Sequence, residues 1–236
     1  MFDLLLAAYL LLILPISRCW RRQYSKPDRR CAPERQRMYR ENITQVLLLL
    51  LVLAGSSWLR RRTPAELGFD VPLSAAGQWG LLAAVVVLAG LGIGSLLWQK
   101  KLGGASRDEY DKLLQGHRLL PRTANELREY LVLSLVVGAG WEILYRGFLL
   151  LVLAPFTGMA GAVALSALAY GASHGYHNRK QFIGSMASAF LFTLAYALTH
   201  SLWWLMLLHI GIGVSAGLAA YGKLKTRAPA VPVTHA

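Results

Sequence analysis

The sequence predicts an all-α, polytopic transmembrane helix bundle of about seven spans (six to eight). Composition, the blocking of apolar residues and the placing of charge all point to it. Of 236 residues, 55% are hydrophobic and 16% charged, against about 25% charged in soluble domains. Val46–Ala54, Leu81–Leu97 and Leu131–Gly140 carry no charge at all. A bilayer core takes about 20 apolar residues per helix. Inside lipid the backbone must satisfy its own hydrogen bonds, so these blocks are expected as helices.

The first span is expected over residues 2–17. No basic segment precedes it and no small-residue cleavage site follows it, so it reads as an uncleaved anchor. The second and third spans are expected at about 42–59 and 76–98, followed by a hydrophilic segment to about 123. Thr123 stands three residues before Glu126, a capping-box pattern that starts a helix. That helix runs to Pro155, and Gly138 and Gly140 allow a break in it. Three more spans follow at about 158–177, 181–198 and 201–222. The tail after Arg227 is short and expected to be disordered. The sequence shows no internal repeat. The expected organisation is an N-terminal set of helices with basic loops (1–119), a core (120–222) and a tail (223–236).

A net charge of +13 would suit a nucleic-acid partner. Its distribution excludes that reading, because the charges sit between the apolar blocks, as in loops facing anionic lipid. Loop 18–40 carries nine Lys/Arg, segment 99–128 seven, Arg179 and Lys180 two, and Lys223, Lys225 and Arg227 three. With seven alternating spans all of these fall on one side, and only Arg60, Arg61 and Arg62 fall on the other. The positive-inside rule then places the N-terminus outside and the C-terminus in the cytoplasm, in an integral protein of the plasma (inner) membrane. Cys19 and Cys31 both lie on the side assigned to the cytoplasm, where a disulfide is not expected.

Ionisable groups inside spans are costly, and each is a functional hypothesis. Glu142 and Arg146 lie in WEILYRGFLL, His174 and His177 in YGASHGYH, and His209 in LLHIGIG; His200 starts the last span. Glu142 and Arg146 are four apart, hence on one helix face. An ion pair that merely neutralises itself would explain them equally well. Singly, His174 and His209 are ordinary packed histidines. Together, three helices bring polar groups to membrane depth, which is how bundle cores build metal and catalytic sites. A glutamate can act as general base, and imidazoles can bind metal or orient water. His177 could add a third nitrogen, but the following Asn178, Arg179 and Lys180 place it at the interface. His117 and His235 lie in polar segments. Trp203 and Trp204 fit an interfacial aromatic belt.

Three segments, Trp141-Glu142-x-x-x-Arg146, Tyr170-x-x-x-His174 and His209-x-x-x-Gly213, come in the order and helical placement of a known set. They resemble the CPBP family of intramembrane proteases, the CAAX-protease and bacteriocin-processing (Abi) group. Its motifs are Glu-Glu-x-x-x-Arg, Phe-x-x-x-His and His-x-x-x-Asn/Asp. The Arg-Gly-Phe-Leu run after the first motif also matches, and TPAELGFDVP at 63–72 looks like the Leu-Gly loop found upstream in the family. The resemblance covers roughly residues 120–222. It implies an endopeptidase cleaving a membrane protein or peptide, with Glu142, Arg146, His174 and His209 as its catalytic residues. It further implies either His174 and His209 as ligands of a divalent metal such as Zn, or a purely glutamate-based mechanism without metal.

Two positions depart from the family pattern. Trp141 replaces the first glutamate, the residue usually given the water-activating role, and Gly213 replaces the asparagine or aspartate. Adjacent helix residues point about 100° apart, so Glu142 cannot take the missing position without rotating the helix. The expectation is therefore an endopeptidase with a degenerate first motif, using Glu142 as base, Arg146 to hold it ionised or to contact a carbonyl oxygen, and His174 and His209 to bind metal or stabilise the oxyanion. The alternative is a noncatalytic membrane scaffold or chaperone that keeps the protease fold and binds partner helices. A transporter is the weaker third reading, since the spans lack broken-repeat symmetry.

Overall fold

The computed structural model describes residues 2–18, 32–101, 119–173 and 179–226. Cys19, Cys31, His117, His174, His177 and His235 lie outside these residues. The described residues are all helix, turn or loop.

Helix α1 (Phe2–Ala8) continues through a wide π-type turn, Tyr9–Ile13, and on to residue 18. Then come α2 (Ala32–Leu59), a short 3₁₀ turn (Pro64–Leu67), α3 (Ala75–Lys101) and α4 (Ala124–Glu142). A second π-type turn, Ile143–Phe148, leads into α5 (Leu149–Ser173), followed by α6 (Arg179–Thr199) and α7 (Trp203–Thr226). The chain is an all-α, multi-span integral membrane bundle. Among the described residues five helices are long and apolar enough to cross a membrane: Glu34–Leu59, Ala75–Leu97, Ala124–Ser173, Phe182–Thr199 and Trp203–Gly222. Their outer faces are apolar: Leu51, Trp58, Trp79, Val86 and Leu191 are all exposed. A helix apolar on every side belongs in lipid rather than water.

The Ala124–Ser173 stretch is 50 residues long. Straight, it would extend about 75 Å at 1.5 Å per residue, far more than a bilayer core of about 30 Å. It does not run straight. Gly158 has φ 68° and ψ 167°, a conformation open only to glycine. Pro155, which lacks an N–H, stands three residues earlier. Two helices therefore meet at Gly158.

The break that Gly138 and Gly140 allow does not occur, and α4 is continuous through both. These glycines serve packing instead. A Cβ on Gly140 would lie 2.2 Å from Val46 Cγ1, and one on Gly138 would lie 2.9 Å from Ile210 Cγ1 and 3.2 Å from the Ile210 backbone nitrogen. Helix α4 thus sits against α2 on one side and α7 on the other, with small residues at the contacts, as in membrane bundles generally. Helix α7 also packs on α3, and α5 packs on α6 and on the wide turn of α1. The buried core at this junction includes Leu10, Val46, Leu144, Phe148, Ala162 and Leu205.

Polar locks close both ends of the bundle. At one end buried Asp3 meets Arg60 Nε at 2.8 Å and also pairs with Arg62, tying α1 to the loop after α2. In that loop Thr63 and Glu66 form a reciprocal capping box. The Gly68 carbonyl accepts from Leu202 N at 2.8 Å, and the Asp70 carbonyl accepts from Trp203 Nε1 at 3.2 Å. At the other end Arg35 grips Glu126 through two bonds of 2.9 and 3.2 Å, and Tyr39 OH donates to Leu119 O at 2.6 Å. Thr123 caps α4 as its sequence predicts, accepting from Glu126 N at 3.2 Å. The Glu126 carboxylate turns instead to Arg35 and to Arg122 N, at 2.7 Å for the latter.

Candidate functional site

Glu142 is the last residue of α4, with its side chain 1% exposed. Its Oε1 accepts from two helical segments at once. Arg146 Nη1, from the wide turn one helical step on, lies at 3.1 Å, and His209 Nδ1, seven residues into α7, lies at 2.8 Å. Gly138 makes the contact reachable, since α7 approaches α4 against its bare Cα.

Tyr170 of α5 completes the cluster. Its hydroxyl lies 3.5 Å from His209 Nδ1, and the Arg146 guanidinium carbon sits 3.9 Å above its ring centroid, in cation–π range. Tyr145 stacks edge-on against Tyr170 at 5.1 Å, and Trp141 lies at 5.7 Å from Tyr145. The Tyr145 hydroxyl donates to Leu10 O at 3.1 Å and lies 3.1 Å from Ser173 Oγ. Its own carbonyl, in the wide turn, accepts from Ser166 Oγ at 2.7 Å. Such turns inside α-helices are frequent at functional sites.

Glu142, Arg146 and His209, picked out from sequence, therefore stand in one hydrogen-bonded cluster. His174 lies outside the described residues, and with it the expected His174–His209 metal pair. Tyr170 was quoted for its motif position but not assigned a role; the signal that could have found it is that same motif position, four residues before His174. Arg146 is fully buried, and its Nε and Nη2 find no hydrogen-bond partner among the described residues. His209 is the outward member, its side chain 27% exposed.

Among the described residues no three His, Cys, Asp or Glu side chains stand together as metal ligands would. Glu142 and His209 are two donors bonded to each other, with a guanidinium on the same carboxylate oxygen. A permanent cation 3.1 Å from that oxygen opposes a second one there, so these described donors do not by themselves fit a metal. What the cluster can do is bring a buried carboxylate, a guanidinium and a partly exposed imidazole into hydrogen-bond contact.

The two departures from the motif pattern are packing positions. Trp141 is buried against Tyr145. Gly213 lies against α4, where an added Cβ would come within 2.9 Å of Ser134 Oγ and 3.1 Å of its Cβ. The Leu-Gly loop also bears on the site: a Cβ on Gly147 would lie 2.6 Å from Leu67 O. Leu67 thus caps the turn that carries Arg146.

In comparison with protein families, residues 123–215 match the family described as type II CAAX prenyl endopeptidase Rce1-like. This is the CPBP/CAAX-protease group, and the matched segment holds the whole cluster from Glu142 to His209. Searches of the curated proteins and of the solved structures gave no match to the chain.

Proposed function

We propose that this chain, with its Rce1-like segment at 123–215, is a CPBP-type intramembrane endopeptidase with a degenerate first motif, cleaving a membrane protein or peptide. The observation that carries the reading is the 2.8 Å contact between buried Glu142 and His209 of another helix. Carboxylate–imidazole pairs orient proton transfer in hydrolases. In this role Arg146 keeps Glu142 ionised, Glu142 fixes the His209 ring, and the pair aligns a water against the scissile carbonyl. His174 joins them as the second motif histidine. The bend at Gly158 supports counting 124–157 and 159–173 as separate passes, which with the helix from Phe2 makes seven. The basic loops then lie in the cytoplasm with the C-terminus, and the N-terminus lies outside. The core is 120–222, flanked by the helices of 1–119 and the tail of 223–236.

The test uses the full chain in nanodiscs with a library of single-span membrane peptides, and mass spectrometry of the products. Wild-type protein is expected to cleave, and Glu142→Gln to lose about 10²–10⁴-fold in rate while remaining folded by thermal melting. Equal cleavage by folded Glu142→Gln protein defeats the assignment.

A second reading, the noncatalytic scaffold, is favoured by one specific observation: both motif departures are built into helix packing, Trp141 on Tyr145 and Gly213 on Ser134. It predicts no cleavage by wild type or any variant, and partner binding that survives Glu142→Gln.

A further inference from the structure

Away from this cluster, a groove of about 860 Å³ opens along α2 beside α1, within the range of about 300–1,000 Å³ typical of ligand sites. Its wall changes character along the helix. Gln36, Arg37, Arg40 and Glu41 line one end, Thr44, Gln45 and Tyr9 the middle, and Leu48 and Leu49 the other end. From Arg37 to Leu48 is eleven residues, about 16 Å at 1.5 Å per residue. Arg37, Glu41, Thr44 and Leu48 share one helix face by their spacing. From Ile43 to Leu59 the helix carries no charge, so the two arginines sit where α2 leaves the hydrocarbon and the leucines lie inside it.

The charges of this groove are only partly used. Arg37 Nε pairs with Glu41 Oε1 at 2.8 Å, and Arg40 Nη2 with Glu129 Oε1 at 2.7 Å. These two guanidinium side chains stay 82% and 70% exposed, and each has five N–H donors. Arg18 stands alongside, its Nη2 donating to Asn42 Oδ1 at 2.6 Å and to the groove residue Gln45 Oε1 at 2.9 Å. Gln45 Nε2 in turn donates to Tyr9 OH at 3.1 Å. Among the described residues Arg37 and Arg40 each pair with one carboxylate, Glu41 and Glu129, and the seam between α1 and α2 is polar at a depth where polar groups need partners.

We infer that this groove binds an anionic phospholipid, its phosphodiester at Arg37 and Arg40 and its acyl chains along Leu48 and Leu49. Guanidinium forks match phosphate oxygens in geometry as well as charge, and an anionic leaflet supplies the ligand next to basic segments. The inference is independent of the endopeptidase reading.

The test is native mass spectrometry of the delipidated full chain given phosphatidylglycerol or phosphatidylcholine of the same acyl chains. One phosphatidylglycerol should be retained at least fivefold over phosphatidylcholine. The double variant Arg37→Gln with Arg40→Gln should lose that preference while melting within a few degrees of wild type, because exposed ion pairs contribute little to stability. A control variant, Lys223→Gln with Lys225→Gln, removes the same charge elsewhere and should keep the preference. Glycerophosphoglycerol, the headgroup without chains, should not compete. Preference retained in the arginine variant, or lost equally in the lysine control, overturns the site. Full competition by the headgroup or by inorganic phosphate shows a free-phosphate site and overturns the lipid assignment.

Discussion

Helix α4 carries two buried glutamates, one near each end, and they are solved differently. Glu126 is fully buried, and Arg35 meets both its oxygens while Arg122 N and Thr123 complete the turn. Both partners of this pair sit in fixed, reciprocal geometry, and that is a lock. Glu142 is equally buried, yet a single oxygen receives both Arg146 and His209. Two nitrogens of its arginine, Nε and Nη2, have no partner among the described residues, and its histidine is partly open. Buried polar groups are normally paired. Donors without a partner among the described residues, beside a partly exposed histidine, set the Glu142 cluster apart as the candidate site. The contrast between Glu126 and Glu142 separates structure from site more clearly than burial does.

The contrast is sharpest in stability. Arg35→Met takes the charged partner from Glu126, leaving it the Arg122 N–H, and should destabilise by about 3–5 kcal/mol, read by thermal unfolding in a mild detergent. Arg146→Met takes one charged partner from Glu142 but leaves its contact with His209 on another helix, so its loss should be smaller. The reverse order would break the comparison.

Between the two glutamates lies the Gly138–Gly140 contact that sets the distance from α4 to its neighbours. Gly140→Ala drives a methyl into Val46 and should cost about 1–3 kcal/mol as overpacking. Adding Val46→Ala should recover most of that loss. If Gly140→Ala is neutral alone, α2 and α4 are not in tight contact and the site is not held by this packing.

A weaker effect belongs to the loop that caps the Glu142 end. Burial opposes ionisation of Asp70, but hydrogen bonds from the Ser74 hydroxyl and backbone, at 2.7 and 2.9 Å, outweigh it. Its carboxyl is therefore held below the ordinary aspartate value of about 3.9. A lowered folded-state value stabilises the fold above the unfolded pKa, and that stability fades as pH falls through the folded one. The melting difference between wild type and Asp70→Asn should be constant above about pH 5 and close as pH falls below about 4. Melting curves from pH 2.5 to 6 measure it, and a difference that widens in acid contradicts the loop geometry.

Least affected should be the exposed pair at the Glu126 end. Arg37 and Glu41 are 82% and 53% exposed, and Arg37→Ala in neutral detergent should change stability by no more than about 0.5 kcal/mol. A larger loss would mean that the basic rim of α2 is structural rather than available to a ligand.

Much of this was legible from the residues in order. Apolar blocks without charge dictate membrane helices, because no other spanning structure satisfies the backbone, and Thr123 before Glu126 marks the start of α4. Glu142, Arg146 and His209 could be selected because ionisable groups are too costly in lipid to lie there idle. The order of the motifs pointed to the family segment at 123–215. Local pattern decides such features, since each depends on a few neighbouring residues and on the solvent around them.

Other features were decided by distant parts of the chain. Gly138 and Gly140 offer a break or a close contact, and only the arrival of Ile210 and Val46 selects contact. The bend at Gly158, by contrast, is local: the sequence ends one helix at Pro155 and begins the next span at about 158, and the glycine there takes φ 68°. Trp141 and Gly213 read as losses from a motif, and become packing residues only with Tyr145 and Ser134 in place. Glu126 and Glu142 are alike in one dimension, both acidic and both in the same helix. Arg35 is 91 residues from the first and His209 is 67 from the second, so only the folded bundle gives one a two-pronged arginine clasp and the other an arginine and a histidine on a single oxygen.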